Sequence, residues 1–171
     1  MTCLDNKHIL QIDNLSVSFT QYERGLRQMD LKVIHNLNVS VHEGELVAVV
    51  GASGSGKSLL AHSILGILPP NCNASGNIIF DGELLDAARI RQLRGKEIVL
   101  VPQSVSYLDP LQKVGLQVRK GRNDKHIRRK QEELFSLYDL PEDTGGLYPF
   151  ELSGGMTRRV LLSEAMMGNP R

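Results

Sequence analysis

The chain has almost no cysteine. Cys3 and Cys72 are the two cysteines in 171 residues, too few and too scattered for a disulfide framework or a zinc site. Such usage fits a reducing cytosol. Long apolar runs are also missing, since none reaches the ~18 residues from which a membrane-spanning helix is built. The amino-terminal stretch carries Asp5 and Lys7 around no long apolar core, so it does not read as a signal peptide. Charge of one sign is absent too. Lys and Arg number 20 against 19 Asp and Glu, a net charge of +1, so no bulk field draws the chain to nucleic acid or to an anionic membrane. No internal repeat or low-complexity stretch interrupts it. What remains is 41% hydrophobic and 23% charged, the composition of a soluble globular protein. The length suffices for one domain with a sizeable core.

Against that plain background one segment is specific. Gly51, Ala52, Ser53, Gly54, Ser55, Gly56, Lys57 and Ser58 match the pattern G-x-x-x-x-G-K-[ST], the phosphate-binding loop. The run 45–50 ahead of it is apolar after Glu45 and reads as a buried strand; 59–68, beginning at Leu59, reads as a helix. Strand, glycine-rich turn and helix are the context this loop requires. A polyphosphate needs its charge neutralised, and backbone N–H groups of a curled loop do so as a nest. Gly51, Gly54 and Gly56 allow the unusual dihedrals and close backbone approach of such a curl. The helix beginning near Lys57 aims its unpaired N–H groups at the same anion. Lys57 is expected to reach the β- and γ-phosphate oxygens as a mobile cation. The Ser58 hydroxyl is the expected Mg²⁺ ligand.

The rest of the chain reads as mixed α/β. Ile9 to Phe19 alternates imperfectly and predicts a strand broken at Asp13-Asn14; Val33 to Val41 alternates again, with Val33, Leu37, Val39 and Val41 on one face. Gln21 to Asp30 is polar and reads as a loop. Glu43-Gly44 is a tight turn. Two alternating strands ahead of a continuous apolar one predict an antiparallel sheet beside a parallel core. Gly76 to Phe80 reads as a short strand and Asp81-Gly82 as a hairpin turn. Ala87 to Leu93 reads as a helix stopped near Gly95, and Glu97 to Val101 as another buried strand. Beyond Gln103 the chain looks helical, with Asn123 or Asp124 capping a helix to about Leu140 and a last helix over Gly154 to Gly168. The basic run from Arg119 to Lys130 has no interleaved aromatics, so it reads as a solvated helix face rather than a nucleic-acid surface.

Leu152, Ser153, Gly154, Gly155 and Met156 follow Tyr148-Pro149-Phe150-Glu151 and open that last helix. A serine and two glycines at a helix start can make an anion site; alone, they read as an N-capped helix without a ligand, Ser153 being the cap. In this order after the phosphate loop, the two motifs resemble the ATP-binding cassette family, whose signature is LSGGQ, with Met156 in place of the glutamine. LSGGM after Tyr-Pro-x-Glu is similar to the importer ATPases for dipeptides, oligopeptides and nickel. The stretches 66–70 and 148–151 look like the nickel branch. The resemblance covers essentially the whole chain.

It implies a P-loop NTPase (RecA-like) core with an N-terminal antiparallel β subdomain, over residues 1–102, and an α-helical signature subdomain over 103–171. It places Gln103 as the Q-loop glutamine that meets Mg²⁺ and the attacking water, where the residues alone read only as a polar strand end. It places Phe19 where an aromatic stacks on adenine, with Tyr22 as the runner-up and a core role for Phe19 as the alternative. The implied nucleotide contacts are residues 51–59 (Gly51 through Leu59), with Ser153, Gly154 and Gly155 acting in trans on a partner's nucleotide. Implied cofactors are ATP and Mg²⁺. Implied partners are a second cassette, homo- or heterodimeric, integral membrane permeases and, indirectly, a solute-binding protein; nucleic acid is not implied.

The family's Walker B strand with its Asp-Glu, its D-loop and its switch histidine would follow Arg171, and His8, His35, His42, His62 and His126 all precede the signature. The expectation is a truncated or partial sequence of a longer subunit, with an incomplete central sheet, that binds ATP far better than it hydrolyses it. The function implied is the ATPase subunit of an importer for nickel or chelated metal, or for di- and oligopeptides, peripheral on the cytoplasmic face of the cell membrane. A non-catalytic nucleotide-binding fragment is the alternative. A DNA-repair or chromosome-structure ATPase is disfavoured by the short interval between motifs, which lacks heptads and cysteine pairs.

Overall fold

In the computed structural model residues 7–22 and 28–171 are described. The chain divides into two compact units, Met1–Leu93 and Arg94–Arg171.

The first unit is built on two long strands. β1 (His8–Tyr22) and β2 (Gln28–His42) pair antiparallel, β3 (Cys72–Phe80) pairs with the other edge of β1, and β4 (Glu83–Leu84) pairs with β3. The sheet order is β2-β1-β3-β4. β1 changes phase midway. Ile12 is buried, but so are Leu15 and Val17, an odd-numbered set that a regular strand would turn to the opposite face. An irregularity between Ile12 and Leu15, with Asn14 at φ 53°, resets the register. β2 answers with its own break. Asn36 sits at φ 42°, so Ile34 packs into the same core as Leu37 and Val39. The two breaks are stitched together by Asn14 N donating to Asn38 Oδ1 at 2.9 Å and Asn36 N donating to Ser16 Oγ at 3.0 Å. The break expected at Asp13-Asn14 is therefore a bulge within one strand. Ile34 takes the buried place expected for Val33.

The loop expected over Gln21 to Asp30 is shorter at both ends, because Gln21 and Tyr22 extend β1 and Gln28 to Asp30 extend β2; residues 23–27 lie outside the described set. β3 starts at Cys72 rather than Gly76, since β1 is long enough to pair with all of it. The hairpin turn at Asp81 and Gly82 is as expected, with φ of 52° and 79°, both positive as a two-residue hairpin loop needs. The helix read over 59–68 is shorter. α1 spans Lys57–Ile64. Gly66 at φ 61° and the bonds Ile67 N to His62 O and Gly66 N to Ser63 O close its end, a left-handed stop. α2 is Ala87–Leu93, as read from sequence, with Asp86 Oδ1 accepting from Ala88 N and Arg89 N.

Two expected strands are absent. Residues 45–50 form no ladder, and Leu46 and Val50 are 96% and 88% exposed. Residues 97–101 form no strand beyond a single bridge between Arg94 and Ile98. β-structure exists only through a neighbour's hydrogen bonds. No described strand lies beside either run, so their composition alone does not make them sheet. Apart from that bridge, the β-structure of the described residues is the antiparallel sheet.

The second unit is helical: α3 (Val114–Val118), α4 (Lys125–Leu137) and α5 (Gly154–Met166), joined by short 3₁₀ turns. Its core gathers Leu108, Val114, Val118, Phe135, Leu140, Val160 and Leu161. Asp124 caps α4, its Oδ1 accepting from Ile127 N at 2.9 Å. α4 stops before Pro141 is reached. Asp139 at φ 50° receives the turn, Leu140 N donates to Phe135 O and Asp139 N to Ser136 O. The apolar pair Phe135 and Leu140 completes this left-handed stop. α5 likewise ends at Met166, before Gly168. No helix among the described residues is long and apolar enough to cross a membrane.

Candidate functional site

The glycine-rich loop lies in the first unit, between the extended run and α1. Gly54 and Gly56 adopt φ of 80° and 91°, where glycine carries no steric cost. Gly51 does not share this dihedral. Its role is space: a Cβ there would stand 2.7 Å from Ser55 Oγ. Gly56 is also spatially constrained, since a Cβ would meet Ile34 and Val33 side-chain carbons at 3.1 Å. β2 therefore supports the start of α1 from below, a contact that no local pattern announces. Ser55 N donates to Ala52 O at 3.2 Å, curling the loop. Lys57 folds back over it, with Nζ donating to Gly51 O at 2.8 Å and Ala52 O at 2.6 Å and lying 3.4 Å from Ser55 Oγ.

Gly51, Ala52, Ser53, Gly54, Ser55 and Ser58 are exposed, and Leu59 turns partly into the core. The arrangement fits a phosphate group. A curled glycine-rich loop, a helix start and one ammonium within reach of the curl are what an anion requires. Ser58 is an exposed hydroxyl in the first turn of α1, a hard oxygen donor of the kind Mg²⁺ accepts beside its waters. Phe19 sits near the end of β1, opposite Leu31 and Cys72, half-buried and outside the main core cluster.

The second constellation lies in the helical unit. Ser153 is the N-cap of α5: its Oγ accepts from Met156 N at 3.2 Å and its carbonyl accepts from Thr157 N and Thr157 Oγ1, both at 2.9 Å. Thr157, buried at the base of that turn, is a supporting residue that the motif does not include. Gly154 and Gly155 are exposed. A Cβ at Gly154 would meet nothing within 4 Å and one at Gly155 only Ser153 Oγ at 4.0 Å, so nothing within the described residues requires glycine at either place. Glu151 reaches back to Tyr148 N at 2.7 Å and fixes the turn before the motif, while Tyr148 and Phe150 stack with ring centroids 5.6 Å apart. Gln103 is exposed in a bend after Pro102 rather than at a strand end.

A curled glycine loop feeding a helix, with a lysine folded over it, defines a phosphate-binding-loop protein. The chain belongs to the ABC transporter family, whose family model matches residues 34–171. It is similar to the oligopeptide transport ATP-binding protein OppD of Bacillus subtilis, with 32% identity covering 95% of this chain and 48% of that protein. It is similar also to OppD of Haemophilus influenzae, with 30% identity covering 95% of this chain and 53% of that protein. The chain thus spans about half the length of these curated relatives. Among solved structures it resembles the ATP-binding cassette MJ0796 as a dimer in a post-hydrolysis state with ADP and Pi, at TM-score 0.73 and 28% identity over 94% of this chain and 70% of that one. A second dimeric structure of MJ0796 gives TM-score 0.75 and 27% identity with the same coverage. The fold is that of an ABC cassette, mixed α/β with an antiparallel sheet and helices.

Proposed function

We propose that this chain is the nucleotide-binding part of an ABC importer ATPase whose cargo is oligopeptides. The observation that carries the reading is the Lys57 ammonium poised over the curl of the glycine-rich loop, in a chain that belongs to the ABC family. In this reading Lys57 leaves its carbonyl partners for the β- and γ-phosphate oxygens, where the charge-assisted bonds are stronger. Backbone N–H groups of residues 51–59 bind the remaining phosphate charge. Mg²⁺, when bound, neutralises phosphate charge, and Ser58 is its proposed ligand; Gln103 keeps by resemblance its proposed role toward the metal and the attacking water. Phe19 is proposed beneath the adenine ring.

Ser153, Gly154 and Gly155 are proposed to face the nucleotide of a second cassette. That no described residue requires glycine at 154 or 155 supports this, as does the dimeric state of the MJ0796 structures. Permease subunits and a solute-binding protein complete the proposed assembly, with this chain peripheral on the cytoplasmic face of the membrane. The two relatives named for oligopeptide transport favour peptide over nickel as cargo. We further infer that these 171 residues bind ATP better than they hydrolyse it, because phosphoryl transfer depends on a carboxylate that polarises the attacking water as well as on a phosphate cradle, and none of the residues proposed for this site is a carboxylate.

Calorimetric titration of ATP and Mg²⁺ into the chain and into Lys57→Ala, with phosphate release measured beside it, tests both statements. Saturable heat lost in Lys57→Ala, with turnover near background, is the expected result. No heat from the unaltered chain would refute the nucleotide reading. Turnover abolished by Lys57→Ala would refute the hydrolysis deficiency.

A further inference from the structure

The first turn of α5 is weak by composition. Gly154 and Gly155 follow one another there, both exposed. Glycine is the poorest helix former after proline, because it has the most backbone freedom to lose. With no side chain to pack at either place, the order of this turn comes from hydrogen bonds. The Ser153 cap supplies one. Arg159, in the following turn, supplies another that the motif does not include: its Nε donates to Gly155 O at 3.4 Å.

The same guanidinium is held at its other end. Arg159 Nη1 donates to Asp139 O at 2.7 Å and to Tyr138 O at 3.2 Å. These carbonyls lie at the carboxyl end of α4, where a helix runs out of its own donors and its dipole favours a cation. That end is itself fixed, since Phe135 and Leu140 on either side of it belong to the core. A planar fork with donors at both Nε and Nη can grip two sets of acceptors in a set relation. The Gly155 carbonyl is thereby referred to a packed point of the helical unit, not to its own fraying turn.

We propose that Arg159 is the positioning residue of the LSGGM turn: anchored on the last carbonyls of α4, it holds Gly155 and so sets residues 153–155 in the conformation that meets a second cassette. This role rests on the reading that those residues face a partner's nucleotide. Arg159 acts through Gly155 and needs no contact of its own with the nucleotide. A turn ordered before its partner arrives loses less entropy on association.

Two substitutions separate the two ends of the guanidinium. Arg159→Lys keeps a cation for the α4 carbonyls but concentrates its donors at one point and loses the Nε that serves Gly155. Arg159→Gln loses the charge as well. Asp124→Ala is the control: it removes the cap at the opposite end of α4 and weakens the same unit without touching either bond. Melting temperature, ATP-dependent dimerisation by light scattering and the Mg²⁺-ATP affinity of the single chain by calorimetry are read for all four proteins. Dimerisation is expected to weaken by about tenfold in Arg159→Gln and about fivefold in Arg159→Lys, the scale of a lost hydrogen bond and the order it imposed. Arg159→Lys melts close to the unaltered chain, and both variants bind ATP as it does. Asp124→Ala melts lower yet dimerises within about twofold of the unaltered chain. Dimerisation that follows melting across all four proteins, or that is unchanged in both Arg159 variants, overturns this proposal alone. Loss of ATP binding by either Arg159 variant also overturns it, because residue 159 would then act other than through the turn. An unaltered chain that takes up ATP and stays monomeric overturns the reading of residues 153–155, and this role with it.

Discussion

The Lys57 ammonium donates to the Ala52 carbonyl at 2.6 Å while standing 3.4 Å from Ser55 Oγ. One cation thus holds both sides of the loop curl. Gly51 makes this possible, because a Cβ there would press Ser55 Oγ at 2.7 Å. Gly51→Ala is expected to turn the Ser55 hydroxyl aside and weaken ATP binding by about twofold to threefold, less than a full overpacking penalty because an exposed side chain yields. Ser55→Ala in the Gly51→Ala background removes the struck oxygen and recovers part of the loss. Calorimetry on the four combinations measures the coupling. Additive losses would show that the two positions do not meet.

Gly76 is required for a different reason. It sits at φ 103°, and a Cβ would lie 2.5 Å from the Asn14 carbonyl oxygen, with Asp13 O at 2.7 Å. Backbone cannot yield as a flexible side chain does. Gly76→Ala is expected to cost about 2–4 kcal/mol, read as a lower urea midpoint with an unchanged slope. Gly82→Ala is the comparison. Its φ is 79° but a Cβ there meets nothing within 4 Å, so it carries the dihedral cost alone and loses less.

These glycines mark what the sequence made legible. The loop 51–58, the cap at Ser153, the cap at Asp124 and the turn at Asp81-Gly82 are all local, written in a few adjacent residues whose chemistry has few alternatives. Strand status is not local. Val47 to Val50 and Ile98 to Val101 have the composition of buried strands, yet a ladder depends on what lies beside them, and no described strand does. The phase change at Asn14 was half visible, because the apolar positions 12 and 15 cannot share one face of a regular strand; the one at Asn36 was not, since 33, 37, 39 and 41 alternate regularly, and only the partner strand shows how the mismatch is absorbed.

Ser153 has two separable roles. As the cap of α5 its Oγ accepts from Met156 N, and Ser153→Ala is expected to lower stability by about 1 kcal/mol. Ser153→Asp retains a capping oxygen and the favourable charge at a helix start, so its stability stays near that of the unaltered chain. The proposed role toward a partner's nucleotide makes the opposite demand, because a carboxylate repels phosphate. Thermal melting is therefore expected to rank Ser153→Asp above Ser153→Ala. ATP-dependent dimerisation, followed by light scattering, is expected to be lost most completely in Ser153→Asp. Dimerisation that tracks melting instead would leave Ser153 a structural cap only.

Glu164, half-buried on α5, holds its proton more tightly than an ordinary carboxyl, whose value is 4.5, because burial disfavours the charged form; the nearby Lys120 charge opposes part of that rise. A carboxyl with a raised folded-state pKa stabilises the fold fully below its unfolded value, and this contribution is lost as pH rises through the folded value. Glu164→Gln stays neutral throughout. Its melting temperature is therefore expected to exceed that of the unaltered chain at pH 7, with the difference vanishing below pH 4. Lys120→Gln keeps the positive φ of that position but removes the opposing charge, so its stability is expected to fall more steeply between pH 4 and 7. Parallel melting curves for all three proteins across that range would show that Glu164 titrates as a solvated carboxyl and that the α5 face bearing it is open to water.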